Sequence, residues 1–138
     1  TDYEGKAQAA LEVLRRDDFV LVHVEAPDET GHQGLVREKV QAIEDFDRRI
    51  VGPISEEMAR RGDPFRLVVT MDNYTKQHPR TNEDWPVPLF LYDSRGVAAP
   101  SGLAYTEANV LAAVARTGLD LPSGAAFFRR FVEQEDNR

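Results

Sequence analysis

The sequence predicts an α/β domain with a mainly parallel sheet flanked by helices. Short runs rich in β-branched and aromatic residues alternate with segments in which apolar residues recur every three or four positions. Two of these runs end directly in polar clusters, as strands of open α/β sheets do at their carboxyl edge. The element order is helix, strand, helix, helix, strand, loop, strand, helix, helix, which is typical of layered α/β folds.

The composition indicates one folded domain with a small-molecule partner. Of the 138 residues, 41% are hydrophobic and 30% are charged, which is ordinary for a globular protein. No segment approaches the roughly 18 consecutive apolar residues of a membrane span, so we expect no membrane partner. The net charge of −7 disfavours nucleic acid, because its binding depends on Lys and Arg neutralising phosphates.

The absence of cysteine limits the chemistry of any metal site. Carboxylate, imidazole or amide groups would have to bind the metal, since thiolates are missing. The same absence fits a cytoplasmic protein, which is the location we expect. The chain starts at Thr1 without an apolar signal sequence. We therefore expect residues 1–138 to be a single partial domain, a piece of a longer protein.

The first half of the chain is predicted to contain a helix, a strand and two further helices. Small and apolar residues at helical intervals place the first helix at Tyr3 to Arg16. The β-branched and aromatic run from Phe19 to Val24 is typical of a buried strand. Two helices follow, from about Gln33 to Val51 and from Ile54 to Arg61, with a glycine and a proline between them.

The second half is predicted to contain two strands and two helices. The strands are expected over Phe65 to Met71 and Val87 to Tyr92. Between them, the polar, turn-rich segment from Lys76 to Trp85 is predicted to be a loop. A helix is expected to start at Thr106 and to be closed by Gly118, and a final phenylalanine-rich helix follows it.

The first polar cluster, Asp28-Glu29-Thr30-Gly31-His32, directly follows the first predicted strand. Asp28 offers a carboxylate and His32 an imidazole, which are groups that zinc and divalent transition metals prefer. Gly31 would let the backbone turn tightly enough for both side chains to converge. The alternative is that Asp28 caps the next helix and that His32 is an ordinary loop histidine.

The second polar cluster, Asp72-Asn73-Tyr74-Thr75, follows the second predicted strand in the same way. Because carboxyl ends of parallel strands meet at one edge of a sheet, we expect Asp28, His32 and Asp72 to share a rim.

Three stretches of the sequence carry a family resemblance. They read HVEAPDETGH at 23–32, AIEDFDRRIVGPI at 42–54 and MDNYTKQHPRTNEDWPVPLFLY at 71–92. In this order they resemble the archaeal-type cofactor-independent phosphoglycerate mutases, within the alkaline phosphatase superfamily. The resemblance covers nearly the whole chain but only the C-terminal part of a family member. It implies that the chain is the C-terminal part of an alkaline-phosphatase-like core.

The resemblance also implies an activity, the interconversion of 2- and 3-phosphoglycerate in glycolysis. Members of the family use two divalent metal ions, Mn or Mg with Zn as a further option, to activate a serine nucleophile. By position, Asp28 and His32 match ligands of one metal, and Asp72 matches a ligand of the second. The serine would lie N-terminal to Thr1, so this chain alone is predicted to be inactive.

The chain departs from the family at two metal-ligand positions. Where the family has Asp-His-Pro-Thr-Pro and Arg-Thr-His, this chain has histidine replaced by Asn73 and by Asn82. An amide oxygen suits magnesium or calcium better than manganese or zinc. Two hypotheses stay open, namely an enzyme with an altered metal site and a catalytically degenerate member that acts as a phospho-ligand binding or interaction module.

Two basic residues match substrate-binding positions of the family. Arg80 could hold a phosphate bidentately, with a structural ion pair as the alternative. Lys39 matches a lysine beside the site, with a solvated charge on the helix surface as the alternative. Because half of a parallel sheet leaves an unpaired edge, we also expect the chain to associate, with itself as a homo-oligomer or with the missing N-terminal part.

Overall fold

The computed structural model describes residues 1–75, 82–83, 85–96, 101–118 and 120–133. In chain order the helices and strands are α1 (Tyr3–Val13), α2 (Ala26–His32), α3 (Val36–Phe46), α4 (Gly52–Arg61), β1 (Arg66–Thr70), β2 (Tyr74–Thr75), β3 (Asn82–Glu83), β4 (Leu89–Asp93), α5 (Glu107–Thr117) and α6 (Gly124–Glu133). A π-helical turn, Asp47–Val51, joins α3 to α4. Within these ranges, no helix combines the length and the apolar character that crossing a membrane requires.

The core lies where α1 packs against the π-helical turn and α4. Its buried residues are small or apolar side chains from these three elements, namely Tyr3, Ala7, Ala10, Ile50, Ile54 and Met58. Ile50 is the most buried of them, with 2% of its surface exposed. Arg49, in the π-helical turn, also stabilises the contact with α1. Its guanidinium lies over the ring of Tyr3 and donates two hydrogen bonds to the Glu4 carboxylate.

The π-helical turn has a local cause in the sequence. Proline has no N–H, and in a regular α-helix its ring would clash with the carbonyl four residues earlier. Pro53 stands at the start of α4, so the preceding turn widens and the Gly52 N–H bonds to the carbonyl of Asp47, five residues back. Ile50, inside this turn, belongs to the core.

Residues 19–24 form an extended segment that makes no backbone hydrogen bond to any described residue. The predicted strand there is therefore not confirmed as part of a sheet. The side chains still alternate as in a strand: Val20, Val22 and Val24 pack against the core, whereas Leu21 is 79% exposed. On the outer side, Phe19 meets the ring of Phe128 from α6 edge-on, with 5.5 Å between the ring centroids.

The strands that the structure describes pair antiparallel. β1 pairs with β4, with Val68 opposite Leu91, and β2 pairs with β3, with Thr75 opposite Asn82. The mainly parallel sheet of the sequence prediction is therefore not confirmed. The physical reason for the β2–β3 pairing is that six residues separate the two strands in the sequence, whereas parallel strands need a crossover connection of about a dozen residues or more.

An ion-pair cluster of Arg66, Asp93 and Arg95 connects the β1–β4 pair to α6. Arg66 donates to the Asp93 carboxylate across the pair at 2.9 Å and to the carbonyl of Phe131 at 2.7 Å. Arg95 donates to the same carboxylate at 2.7 Å. The Asp93 side chain is only 9% exposed. The Arg95 and Arg66 hydrogen bonds hold the pKa of this carboxyl well below its ordinary value.

We expect Asp93→Asn to lower the free energy of unfolding by about 2 kcal/mol, because it removes a largely buried charge from two arginines. Urea unfolding at neutral pH measures the change. The matched control is Glu12→Gln, since Glu12 pairs with Arg15 where both side chains are more than half exposed. This control should cost less than about 0.5 kcal/mol. Equal losses in the two variants would contradict the role given to the cluster.

The stability contribution of Asp93 should depend on pH. Because the pKa of this carboxyl is lower in the folded protein than its ordinary value of 3.8, the contribution is complete well above pH 4. It is lost as the pH falls below 4 towards the folded-state pKa. The difference in melting temperature between the wild type and Asp93→Asn should therefore become smaller below pH 4. A difference that stays constant with pH would contradict the stabilising role of the Asp93 charge.

Candidate functional site

The segment predicted as the DETGH loop is a helix, α2. Pro27 is tolerated in the first turn, where no intrahelical partner needs its missing N–H, and the acidic side chains of that turn favour the positive helix end. Asp28 and His32 are four residues apart on one helix face, so Asp28 Oδ2 lies 3.4 Å from His32 Nε2. Helical spacing, and not a glycine turn, brings these two groups together.

The structure also excludes the capping role considered for Asp28. Leu35 occupies the N-cap position of α3, the helix that the sequence predicts next, and Asp28 lies inside the first turn of α2, whose N-cap position is occupied by Glu25. The Asp28 and His32 side chains are 40% and 42% exposed. The pair is therefore accessible to a ligand from solvent while it remains anchored on a helix.

The turn after β1 reaches α2 through Thr75. The Thr75 hydroxyl donates a hydrogen bond to Asp28 Oδ1, although the two residues are 47 positions apart in the sequence. The amide oxygen of Asn73 lies 3.3 Å from the same hydroxyl oxygen. The Thr75 hydroxyl therefore lies between the Asp28 carboxylate and the Asn73 amide oxygen.

Asp72 is exposed and turns back on its own segment, where its carboxylate accepts a hydrogen bond from the Asn73 N–H at 2.9 Å. Among the described residues, no three His, Asp or Glu side chains come close enough to hold a metal ion. Asp72 therefore does not complete such a group with Asp28 and His32.

The remaining predicted site residues are Asn82, Arg80 and Lys39. The backbone of Asn82 pairs directly opposite Thr75, which brings this position to the same site. Arg80 lies outside the described residues. Lys39 is partly buried, and its ammonium group donates to the carbonyl of Thr75 at 2.9 Å. The alternative of a freely solvated lysine is therefore wrong.

Gly31 allows the close approach between α2 and β2. A Cβ atom at this position would lie 2.8 Å from Thr75 Cγ2 and 2.9 Å from Lys39 Nζ, closer than carbon atoms can pack. The sequence predicts a tight turn at Gly31 and no role for Thr75. The position of Thr75 in the polar cluster after β1 was the only signal for it, because a hydroxyl group does not reveal its partner in the sequence.

Burial affects the hydroxyl groups of two tyrosines, Tyr74 in β2 and Tyr105 before α5. Tyr74 contacts Trp85 edge-on, and the Tyr105 hydroxyl donates to the carbonyl of Pro88 at 2.9 Å. Burial, with the nearby Tyr74 as a smaller cause, raises the pKa of Tyr105 to about 12. Burial also raises the pKa of Tyr74. Both phenols are therefore neutral at physiological pH and act there as hydrogen-bonding groups.

Comparison with known proteins identifies the relatives of this chain. The profile of the metalloenzyme superfamily matches residues 1–122. A 2,3-bisphosphoglycerate-independent phosphoglycerate mutase from Methanosarcina barkeri is 45% identical over 107 residues, which are 78% of this chain and 27% of the relative. The protein of the same name from Methanosarcina mazei is 42% identical over 110 residues, 80% of this chain and 28% of the relative.

A bacterial relative has a similar identity and covers a similar share of the chain. A probable 2,3-bisphosphoglycerate-independent phosphoglycerate mutase from Geobacter sulfurreducens is 43% identical over 113 residues, 82% of this chain and 28% of the relative. The chain thus spans about a quarter of the length of the curated relatives it matches. No solved structure matches the chain.

We expect Gly31→Ala to separate α2 from β2 and to lower the free energy of unfolding by about 1–3 kcal/mol, because the added methyl group would overlap Thr75. Gly124→Ala is the matched control, since a Cβ atom there would meet no atom within 4 Å. The control should keep stability or raise it by up to about 1 kcal/mol, because alanine restricts the unfolded chain more than glycine does. Urea unfolding measures both variants, and an equal response would contradict the close contact.

Proposed function

This chain belongs to the metalloenzyme superfamily, and we propose that it forms one part of a metal-dependent phosphoglycerate mutase. The reaction would be the interconversion of 2- and 3-phosphoglycerate in glycolysis, in the cytoplasm, with the phosphorylated glycerate as the small-molecule partner. The observation that carries the proposal is the identity of 42–45% to proteins of that name. The matched length is about a quarter of those relatives, so the other catalytic groups would come from a longer polypeptide.

The described residues fit part of a divalent-metal site. With metal–ligand bonds of about 2.1 Å, two neighbouring ligands of an octahedral ion are about 3.0 Å apart, and the Asp28 Oδ2–His32 Nε2 separation of 3.4 Å is within a few tenths of an ångström of this distance. We propose these two side chains as ligands, with Asp72, Asn73 and Asn82 contributing from the strand ends. A bound divalent metal would neutralise phosphoryl oxygens and help to deprotonate an attacking hydroxyl group.

The amide positions support a preference for a hard cation. Asn73 places an amide oxygen close to Asp28 through Thr75, and Asn82 pairs opposite Thr75. Amide oxygens bind magnesium readily, whereas manganese and zinc are bound more strongly by imidazole than by an amide oxygen. We therefore propose that Mg²⁺ is the preferred metal, ahead of Mn²⁺ and Zn²⁺.

A second candidate function is a phospho-ligand binding or interaction module without turnover. It is favoured by the same two asparagines, since each removes a strong metal ligand from the pattern of the family. It is also favoured by the separation of Asp72 from the Asp28–His32 pair in the described part of the chain. Arg80 is the cation that we propose for a phosphate group in either function, because the Lys39 ammonium is already bonded to the Thr75 carbonyl.

The extended segment at 19–24 supports an assembly proposal. Its alternating burial is that of a strand, and its backbone has no partner among the described residues. We propose that the segment becomes a central strand of a mainly parallel sheet when the rest of the polypeptide, or a second copy of the chain, supplies its neighbour.

The catalytic proposal is tested by comparing the 138-residue chain with the longer polypeptide that carries it. Bound Mg²⁺ or Mn²⁺ and mutase turnover are measured for both. We expect turnover only in the longer polypeptide, where Asp28→Asn should weaken metal binding at least tenfold because a charged ligand is lost. Asp63→Asn, an exposed carboxylate beyond α4, is the matched control and should bind metal normally.

Three results would decide between the candidate functions. Turnover with bound metal supports the enzyme. A metal-free protein that binds phosphoglycerate without turnover supports the binding module. A longer polypeptide that binds neither metal nor phosphoglycerate would contradict both.

The assembly proposal is tested by light scattering of the 138-residue chain at increasing concentration. We expect self-association, because the backbone of the extended segment has no hydrogen-bond partner among the described residues and Leu21 is exposed. Leu21→Lys should reduce it without loss of stability, since this side chain is 79% exposed. Lys6→Met, on the exposed side of α1, is a control for a change of charge. A wild-type chain that stays monomeric at millimolar concentration would contradict the proposal.

A further inference from the structure

Three separate elements meet at Thr75. Its hydroxyl donates to Asp28 on α2, and its carbonyl accepts from the Lys39 ammonium on α3. The first contact links residues 47 positions apart, and the second links residues 36 positions apart. We call this arrangement of Asp28, Lys39 and Thr75 the threonine clasp.

The close approach at Gly31 is independent support for the threonine clasp. Any side chain at this position would collide with Thr75 and with the Lys39 amine. The surface of α2 is therefore shaped to receive Thr75 and the lysine together, so the two hydrogen bonds are accompanied by a matching van der Waals contact.

The position of Lys39 indicates that its main role is structural. Ala42, on the next turn of α3, is buried, and Lys39 beside it is partly buried. Partial burial of an ammonium group is costly unless it is bonded, and the Thr75 carbonyl supplies that bond. A lysine that reached out towards a substrate would have to give up this contact.

The threonine clasp also fixes the turn that carries the other candidate ligands. Asp72 and Asn73 stand between β1 and Thr75, so the position of Thr75 determines where their side chains begin. The Asn73 amide oxygen contacts the same hydroxyl oxygen that bonds Asp28. The clasp thus connects α2 to a turn whose Thr75 lies 47 positions after Asp28 in the sequence.

We propose that Thr75 and Lys39 are positioning residues, which hold the Asp72–Asn73 turn in register with Asp28 and His32. The inference rests on the proposed function for the metal, whereas the threonine clasp itself exists in the chain without it. Thr75 orients the carboxylate by donating to Oδ1, which leaves Oδ2 directed at His32. Lys39 keeps the backbone of Thr75 at the distance that this bond requires.

The test uses three variants of the 138-residue chain. Thr75→Val removes the hydroxyl and keeps the shape, Thr75→Ser keeps the hydroxyl, and Lys39→Met removes the charge and keeps the stem. Amide hydrogen exchange of residues 26–32 and 72–75 is measured first, and Mg²⁺ and Mn²⁺ affinity is measured by calorimetry. Thr117→Val, which removes a hydroxyl bonded inside α5, and Lys6→Met, on α1, are the controls.

We expect Thr75→Val and Lys39→Met to speed exchange in both segments about tenfold and to weaken metal binding about tenfold, as loss of a group that orients a ligand does. Thr75→Ser should keep the exchange rates and the metal affinity close to those of the wild type. A general loss of packing would change both measurements in this variant as well. The two control variants should behave like the wild type.

Four results would overturn the inference or separate it from the proposed function. Unchanged exchange in Thr75→Val contradicts the threonine clasp. Failure of Thr75→Ser to restore exchange assigns the effect to side-chain volume and also contradicts it. Faster exchange with unchanged metal affinity contradicts the positioning role. If the wild type binds no metal, the metal site of the proposed function fails in this chain, and so does the positioning role, while exchange still decides whether the clasp exists.

Discussion

The contact between α2 and the turn after β1 is the interaction on which the candidate site depends. A helix that carries Asp28 and His32 is joined to a strand end that carries Asn73 by one threonine, one lysine and one glycine. Together these three residues bring groups that are far apart in the sequence onto one surface. Neither segment alone presents more than two of the groups that a metal would need.

Elements whose signals are local were well predicted from the sequence. The Thr106 hydroxyl caps α5 by accepting from the Asn109 N–H, and Gly118 closes it in the left-handed conformation at φ 66°. β1 and the phenylalanine-rich α6 also lie where they were predicted. Cap residues, helix-ending glycines and side-chain periodicity act within a few positions, so they can be identified without knowledge of the rest of the molecule.

Features that depend on distant partners were not predicted. The segment at 19–24 has the composition and alternation of a strand, but strand formation needs a neighbour, which no described residue supplies. The DETGH stretch forms a helix because its first turn suits a proline and acidic side chains, although glycine suggested a loop. The pairing of Asp28 with His32 was anticipated, whereas Thr75 became visible only once the elements were packed.

The π-helical turn at Asp47–Val51 has a further consequence for how this chain can vary. It holds one more residue than a regular turn, so the extra residue is absorbed within that turn. Loss of one residue there would leave a regular turn and keep α4 close to its present orientation. Loss of one residue within α3 would instead rotate α4 by about 100° relative to the start of α3, because each residue of an α-helix turns through that angle. Ile54 and Met58 would then face away from α1. The wide turn is thus the place where the α3–α4 pair tolerates a change of length by one residue.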